Sequence, residues 1–228
     1  MRPTKGRAIG RHRWSVVGDM GVGVKQTERD RRRRAILDVA RAVFFEEGYS
    51  EASMSTIAAR LGGSKGTLYN YFQSKKELFD AQIREQCEAH AAVVFDLPPD
   101  GKNARRVLTD MGERFLDMLL SESSLQTFRL VASESQRDPS IGRIFYEAGP
   151  MNGARRLSVF LAQAESIGGL PRLNDPLRAA QQFVAMLQGG LYKRRLLNMI
   201  AHPTREEVMA EVAATVDTFM AAFGPRPY

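Results

Sequence analysis

Within Ser64-Lys65-Gly66-Thr67-Leu68-Tyr69-Asn70-Tyr71-Phe72, only Leu68 and Phe72 are aliphatic or phenyl anchors, and they stand one helical turn apart. The other positions carry hydroxyls, an amide, a cation or no side chain at all. Hydroxyls, helix N-terminal amides and lysines bind phosphate oxygens, while Asn and Lys can read base edges. Gly66 at the helix start leaves room for a backbone or base to come close. A helix here gives the core one narrow edge and offers outward a polar face with two tyrosines. The same pattern also suits a plain polar surface helix whose tyrosines pack sideways.

Such a face must be held by its neighbours. Ser53 caps a short helix read over Ser53 to Leu61, with Ile57, Ala58 and Leu61 turned inward. Gly62-Gly63 breaks the chain before Ser64 opens the next short helix, which is read to Phe72. Ahead of this pair, Thr27-Glu28-Arg29-Asp30 approximates a capping box. Ile36, Leu37, Ala40, Val43 and Phe44 then form one stripe of a longer helix that Gly48 ends. Behind the pair, Ser74-Lys75-Lys76-Glu77 has the S-x-x-E form and starts a fourth helix running to about His90, with Leu78, Phe79, Ile83 and Cys87 on its stripe. A long helix followed by two short ones about a glycine turn is the helix-turn-helix arrangement. In that register Cys87 reads as a small core residue rather than a reactive thiol.

Charge narrows the partner. The chain has 228 residues, 33 Lys and Arg against 26 Asp and Glu, and a net charge of +7. Residues 1–34 hold 11 basic and 3 acidic groups, a net of +8, so the remainder is close to neutral. A basic front on a neutral body points to a polyanion at one end, either nucleic acid or an anionic membrane surface. Residues 1–26 mix Gly, Arg and Pro without a hydrophobic period and read as a basic, disordered arm that either brushes DNA or trails; Met20 is a second candidate start. Arg31 to Arg34 oppose the dipole of their helix, so they invite an external anion or form a solvated face.

Apolar stretches such as Ala91-Ala92-Val93-Val94-Phe95 fall far short of the roughly 20 residues of a spanning helix. No apolar run of signal-peptide length follows the basic start, and a cytoplasmic protein is expected. A single cysteine excludes an internal disulfide. His12, His90 and His202 are scattered without metal-ligand spacing, so neither a metal nor a cofactor is expected. Enzyme signatures are missing too. Gly62-Gly63-Ser64-Lys65-Gly66-Thr67 resembles a phosphate loop in composition only, lacking its spacing and a preceding strand. No G-x-S-x-G, H-E-x-x-H or Cys/His nucleophile pair occurs.

From residue 96 the pattern becomes one of long helices, read near 103–121, 124–136, 139–166, 175–197 and 204–223. Leu97-Pro98-Pro99-Asp100-Gly101, Gly168-Gly169 and Pro171 separate them. Thr204-x-x-Glu207 opens the last and Gly224-Pro225 closes it. The expected fold class is all-α with about nine helices.

Four segments stand in order and at matching spacing: Ala40-Arg41-Ala42-Val43-Phe44-Phe45-Glu46-Glu47-Gly48-Tyr49, Ser53-Met54-Ser55-Thr56-Ile57-Ala58-Ala59-Arg60-Leu61-Gly62, Ser64 to Phe72, and Ser74-Lys75-Lys76-Glu77-Leu78-Phe79. Together they make residues 30–90 resemble the DNA-binding domain of the TetR/AcrR family of transcriptional regulators. The resemblance implies an N-terminal three-helix helix-turn-helix domain over 27–90, with its motif at 53–72, and a larger C-terminal helical bundle over 91–228. It implies that Ser53 and Thr56 touch phosphate, and that Ser64, Lys65, Gly66 and Thr67 open a recognition helix with Lys65 and Thr67 near base edges. Tyr69, Asn70 and Tyr71 would face the major groove and flanking phosphates, and Lys75 would grip the backbone beyond. Gly63 stands where the family usually has a small aliphatic residue, which implies a lost packing contact and a more loosely held helix. Asn70 stands where an aromatic, His or Arg is common.

The C-terminal half resembles the family in kind, with Phe128-Arg129-Leu130-Val131 and Phe145-Tyr146-Glu147-Ala148-Gly149-Pro150 similar to one subgroup. The implied roles are binding of a small apolar effector and homodimerisation through the helices near 175–197 and 204–223. Phe115, Met118, Phe128, Tyr146, Met151, Phe160 and Met186 are the candidate pocket residues. The implied function is a repressor released by its effector from a near-palindromic operator. A DNA-binding architectural protein without an effector is the alternative.

Overall fold

The computed structural model describes residues 27–170 and 173–223. The expected arm 1–26 with Met20, the breaker Pro171 and the closing Gly224-Pro225 lie outside the described residues. Those described form nine helices and no strand. None of these helices is long and apolar enough to cross a membrane.

Helix α1, Glu28–Glu47, opens on a full capping box: Thr27 Oγ1 accepts from the Asp30 amide at 3.1 Å, and the Asp30 carboxylate accepts from the Thr27 amide at 3.2 Å. It ends at Gly48, whose φ of +81° would strain a residue with a Cβ. Its buried side chains are the predicted stripe, Ile36, Leu37, Ala40, Val43 and Phe44. Helices α2, Met54–Arg60, and α3, Lys65–Tyr69, are each capped by a serine hydroxyl, Ser53 and Ser64. Helix α3 is shorter than its predicted span. Past Tyr69 the chain tightens, with the Tyr71 and Phe72 amides both donating to the Leu68 carbonyl, because Ser74 must already cap α4, Lys75–Val94. Phe72 therefore anchors from a turn, yet is only 3% exposed.

The longer helices follow the predicted order: α5, Ala104–Leu120, and α6, Glu122–Glu134, come first. Helix α7 joins Pro139–Tyr146, a π-helical stretch Glu147–Met151 and Asn152–Ser166. Helix α8 joins Pro176–Leu187, a π-helical stretch Gln188–Tyr192 and Lys193–Leu196, and α9 is Arg205–Phe223. Pro150 lies inside α7. A proline cannot donate its amide and clashes with the preceding turn, and the widened π turn is one way a helix passes through it.

Two apolar cores stabilise the chain. The first gathers α1 to α4 around Phe44, Ile57, Leu68 and Phe79, and also takes Val131 of α6 and Ile141, Ile144 and Ala148 of α7. The second joins α5, α7, α8 and α9 around Leu108, Phe160, Phe183 and Phe219, with Val94 from the end of α4. Each of these large side chains contributes about 1.5–3 kcal/mol by burial. Helices α4 and α7 thus belong to both cores.

Candidate nucleic-acid interface and internal cavity

Leu68 and Phe72, 1% and 3% exposed, hold α3 against the first core. Lys65, Gly66, Tyr69 and Asn70 face solvent, and Thr67 and Tyr71 are half-buried. Residues 53–76 contain no Asp or Glu, and Lys65 has no ion-pair partner among the described residues. The two short helices repeat one local motif. Ser53 Oγ accepts from the Thr56 amide at 3.1 Å and lies 3.0 Å from Thr56 Oγ1; Ser64 Oγ accepts from the Thr67 amide at 3.2 Å and lies 3.1 Å from Thr67 Oγ1. A Cβ on Gly66 would meet only Ser64 Oγ, at an ordinary 3.7 Å, so nothing inside the fold demands glycine there.

Two expectations need correction. Lys75 does not reach outward: its ammonium donates to the carbonyls of Tyr49, Ser50 and Ala52 at 2.7, 3.0 and 2.9 Å and sits 4.7 Å from the centre of the Tyr49 ring. All three N–H groups are occupied in clamping the turn between α1 and α2, leaving none for a phosphate. Gly63 leaves no hole, because a Cβ there would stand 3.2 Å from Arg32 Nη2, and the guanidinium fills the place of the missing side chain. The arginine run forms a largely solvated face with local ion pairs, one of the two readings left open. Arg31 pairs with Glu28 at 2.6 Å, while Arg33 and Arg34 reach Glu85 of α4 at 2.8 and 3.7 Å; Arg33 also lies over the Phe72 ring.

Below this surface, a cavity of about 310 Å³ opens between α4, α5, α6, α7 and α8. Of the predicted pocket residues, Phe115, Met118 and Phe128 line it. The other four do not. Phe160 is 1% exposed in the second core, Met186 packs on the outside of that core, Tyr146 is 50% exposed, and Met151 is absent from the lining. A helical period cannot tell a core-facing position from a cavity-facing one. Both π-helical stretches border the cavity, through Gly149 and Pro150 in α7 and Gln188 and Tyr192 in α8. A proline and a glycine pair inside helical patterns, Pro150 and Gly189-Gly190, were the signals that could have found these walls.

Helix α4 presses close to α7 along one wall: a Cβ on Gly149 would stand 3.2 Å from Cys87 Sγ, and one on Gly153 would stand 2.8 Å from the Phe95 ring. Cys87 thus packs against the first core, as expected, and also lines the cavity. Burial holds its thiol up at about 11 and the Tyr192 phenol at about 12, so both stay protonated at neutral pH. Burial, with Arg41 nearby, pushes the His90 imidazole down and favours its neutral form. Gln86 closes another wall, donating to Thr127 Oγ1 at 3.1 Å and Ser123 Oγ at 3.3 Å and accepting from Gln82 at 3.0 Å.

Cavity and interface are mechanically joined. From α6, Arg129 donates to the Leu196 carbonyl at the end of α8, at 2.8 and 3.2 Å, and to Asn198 Oδ1 at 2.8 Å. One turn further along α6, Glu134, 8% exposed, accepts from Ser50 Oγ at 2.5 Å in the turn that Lys75 clamps. The sequence carries no pattern that pairs Ser50 with Glu134.

Similar proteins follow the same two halves. Residues 106–225 match the family described as AefR-like transcriptional repressor, C-terminal domain, and residues 36–81 match bacterial regulatory proteins, tetR family. The HTH-type transcriptional repressor Rv1474c of Mycobacterium tuberculosis is 44% identical over 62 residues, which cover 27% of this chain and 33% of that protein. The chain thus spans a third of that relative's length. The HTH-type transcriptional regulator BetI of Cronobacter sakazakii is 28% identical over 170 residues, 73% of this chain and 80% of BetI. Among solved structures, the Flavonoid-responsive Regulator FrrA superposes with a TM-score of 0.76 at 34% identity, covering 86% of this chain and 99% of FrrA.

Proposed function

Because the chain belongs to the TetR family of transcriptional regulators, with matches over both halves, we propose that it is a cytoplasmic, homodimeric repressor that a small, largely apolar effector releases from a near-palindromic operator. Residues 27–90 form the DNA-binding unit, and 91–228 take the effector and dimerise. In each subunit α3 enters a major groove, and the two half-sites lie one helical turn or more apart. Lys65 and Thr67 read base edges; Ser53, Thr56, Ser64 and Gly66 meet phosphates; Tyr69, Asn70 and Tyr71 complete the contact. Lys75 supports this surface from behind.

The observation that carries the ligand response is the course of α4. Its first residue, Lys75, holds the turn beside α2, and Gln86, Cys87 and His90, further along the same rod, line the cavity. The two ends are about 22 Å apart, at about 1.5 Å of rise per residue. A ligand that fits the cavity better in a state with different α3 spacing shifts the population toward it and lowers operator affinity. That FrrA is named for a response to flavonoids supports a small-molecule effector here.

Footprinting on the DNA upstream of the protein's own gene tests the reading. A protected, two-fold symmetric site is expected, with Lys65→Ala and Thr67→Ala losing about 1–3 kcal/mol of discrimination between this site and random DNA. Tyr71→Ala should weaken both alike. Equal losses on both DNAs for all three variants would count against the assignment.

A further inference from the structure

Among the walls of the cavity, one polar group stands out. Tyr192 is 6% exposed and lines the cavity; its hydroxyl makes no hydrogen bond to the described residues and keeps accessible surface. A phenol open to the cavity in this way can donate to, or accept from, whatever occupies the space. Of the other polar lining groups, Gln86 and Thr127 already bond each other. The polar groups left free along the walls are the Tyr192 hydroxyl, the Gln188 amide and the His90 imidazole.

The remaining surface is aromatic and uncharged. Rings of Phe95, Phe115, Phe128, Phe145 and Tyr192 line it. Phe128 meets Phe145 and Tyr192 edge to face, with centroids 6.2 and 6.1 Å apart and planes at 77° and 86°. An array of this kind favours another planar ring through offset or edge contacts. No Asp or Glu lines the cavity among the described residues, and the one permanently charged lining residue, Lys193, is solvent-exposed. A cation placed inside would lose water without gaining a counter-charge. The thiol, phenol and imidazole on the walls all favour their neutral forms. The volume, about 310 Å³, lies at the low end for small-molecule sites and suits a compact occupant.

We propose that the cavity takes an uncharged, planar aromatic compound bearing hydroxyl or carbonyl groups, one of which pairs with the Tyr192 phenol. This rests on the effector reading above. Titration calorimetry of the full chain with three probes tests it: 6-hydroxyflavone, the cationic dye thioflavin T, and palmitate. 6-Hydroxyflavone should bind at least tenfold more tightly than either of the others. Tyr192→Phe, which keeps the ring and its packing, should weaken 6-hydroxyflavone about three- to tenfold, the span of one hydrogen bond. Tight binding of thioflavin T or palmitate, or an unchanged affinity in Tyr192→Phe, would overturn the chemical class and leave the effector reading standing. No binding by any of the three would overturn both.

Discussion

Lys75 shows how a side chain of the right type at the right place can serve the fold instead of the ligand. A lysine just before an amphipathic helix, next to a polar recognition segment, reads as a phosphate contact. In the structure its three N–H groups point back to three carbonyls of the α1–α2 turn, and its charge lies against the Tyr49 ring. Tyr49 in turn packs edge-on against Phe79, 4.9 Å away between centroids, so the clamp is tied to the first core. Lys75→Met keeps the stem and removes the donors. It should cost about 1–3 kcal/mol through the carbonyls left unpaired, read as a lower midpoint in thermal denaturation. Should the midpoint stay put while the salt dependence of DNA binding falls, the lysine contacts phosphate after all.

Helices α6 and α7 are the elements through which the two ends of the molecule meet. Helix α6 holds the end of α8 with Arg129, lines the cavity with Phe128 and Thr127, and reaches the α1–α2 turn with Glu134. A buried carboxylate with a single short bond to one hydroxyl is a sensitive joint, since losing the partner leaves a desolvated charge. Ser50→Ala should therefore leave operator binding by the free protein near its original strength. It should change the coupling between effector and DNA by about 0.5–2 kcal/mol, measured as the ratio of operator affinities with and without a saturating effector. An unchanged ratio would place the coupling elsewhere. The boundaries of these helices were legible from their hydrophobic period, down to the run 139–166. Their π-helical turns were not, because a widened turn depends on what the helix packs against as well as on its own residues.

At the scale of the molecule, the outer faces of α8 and α9 are the surfaces proposed for the second copy. On α8, Arg178, Gln182, Ala185 and Gly189 are exposed at successive turns; on α9 the exposed positions include Ala210, Ala213, Ala214 and Ala221. Small side chains at helical spacing let two helix pairs approach closely, and a two-fold interface doubles every contact. Ala214→Arg places a charge at this face without touching either core. Sedimentation should then show a shift toward monomer, and operator affinity should fall because the two half-sites are no longer held together. A dimer of unaltered strength would move the interface off α9.

The sequence by itself determined the helices, their caps and their inward stripes, because these depend on residues three or four positions apart that any copy of the segment carries. It also marked the polar face of α3, since an acid-free run of hydroxyls and a lysine, with two apolar anchors one turn apart, is a local pattern. Tertiary packing alone decided what those side chains face. It turned Lys75 inward, put Arg32 where Gly63 lacks a side chain, and sent Phe160 to the core while Phe128 went to the cavity. It also brought Glu134 to Ser50 across 84 positions of chain. Such pairings are set by how helices cross and not by their own periods, so the cavity and its link to the DNA-facing end emerge only in three dimensions.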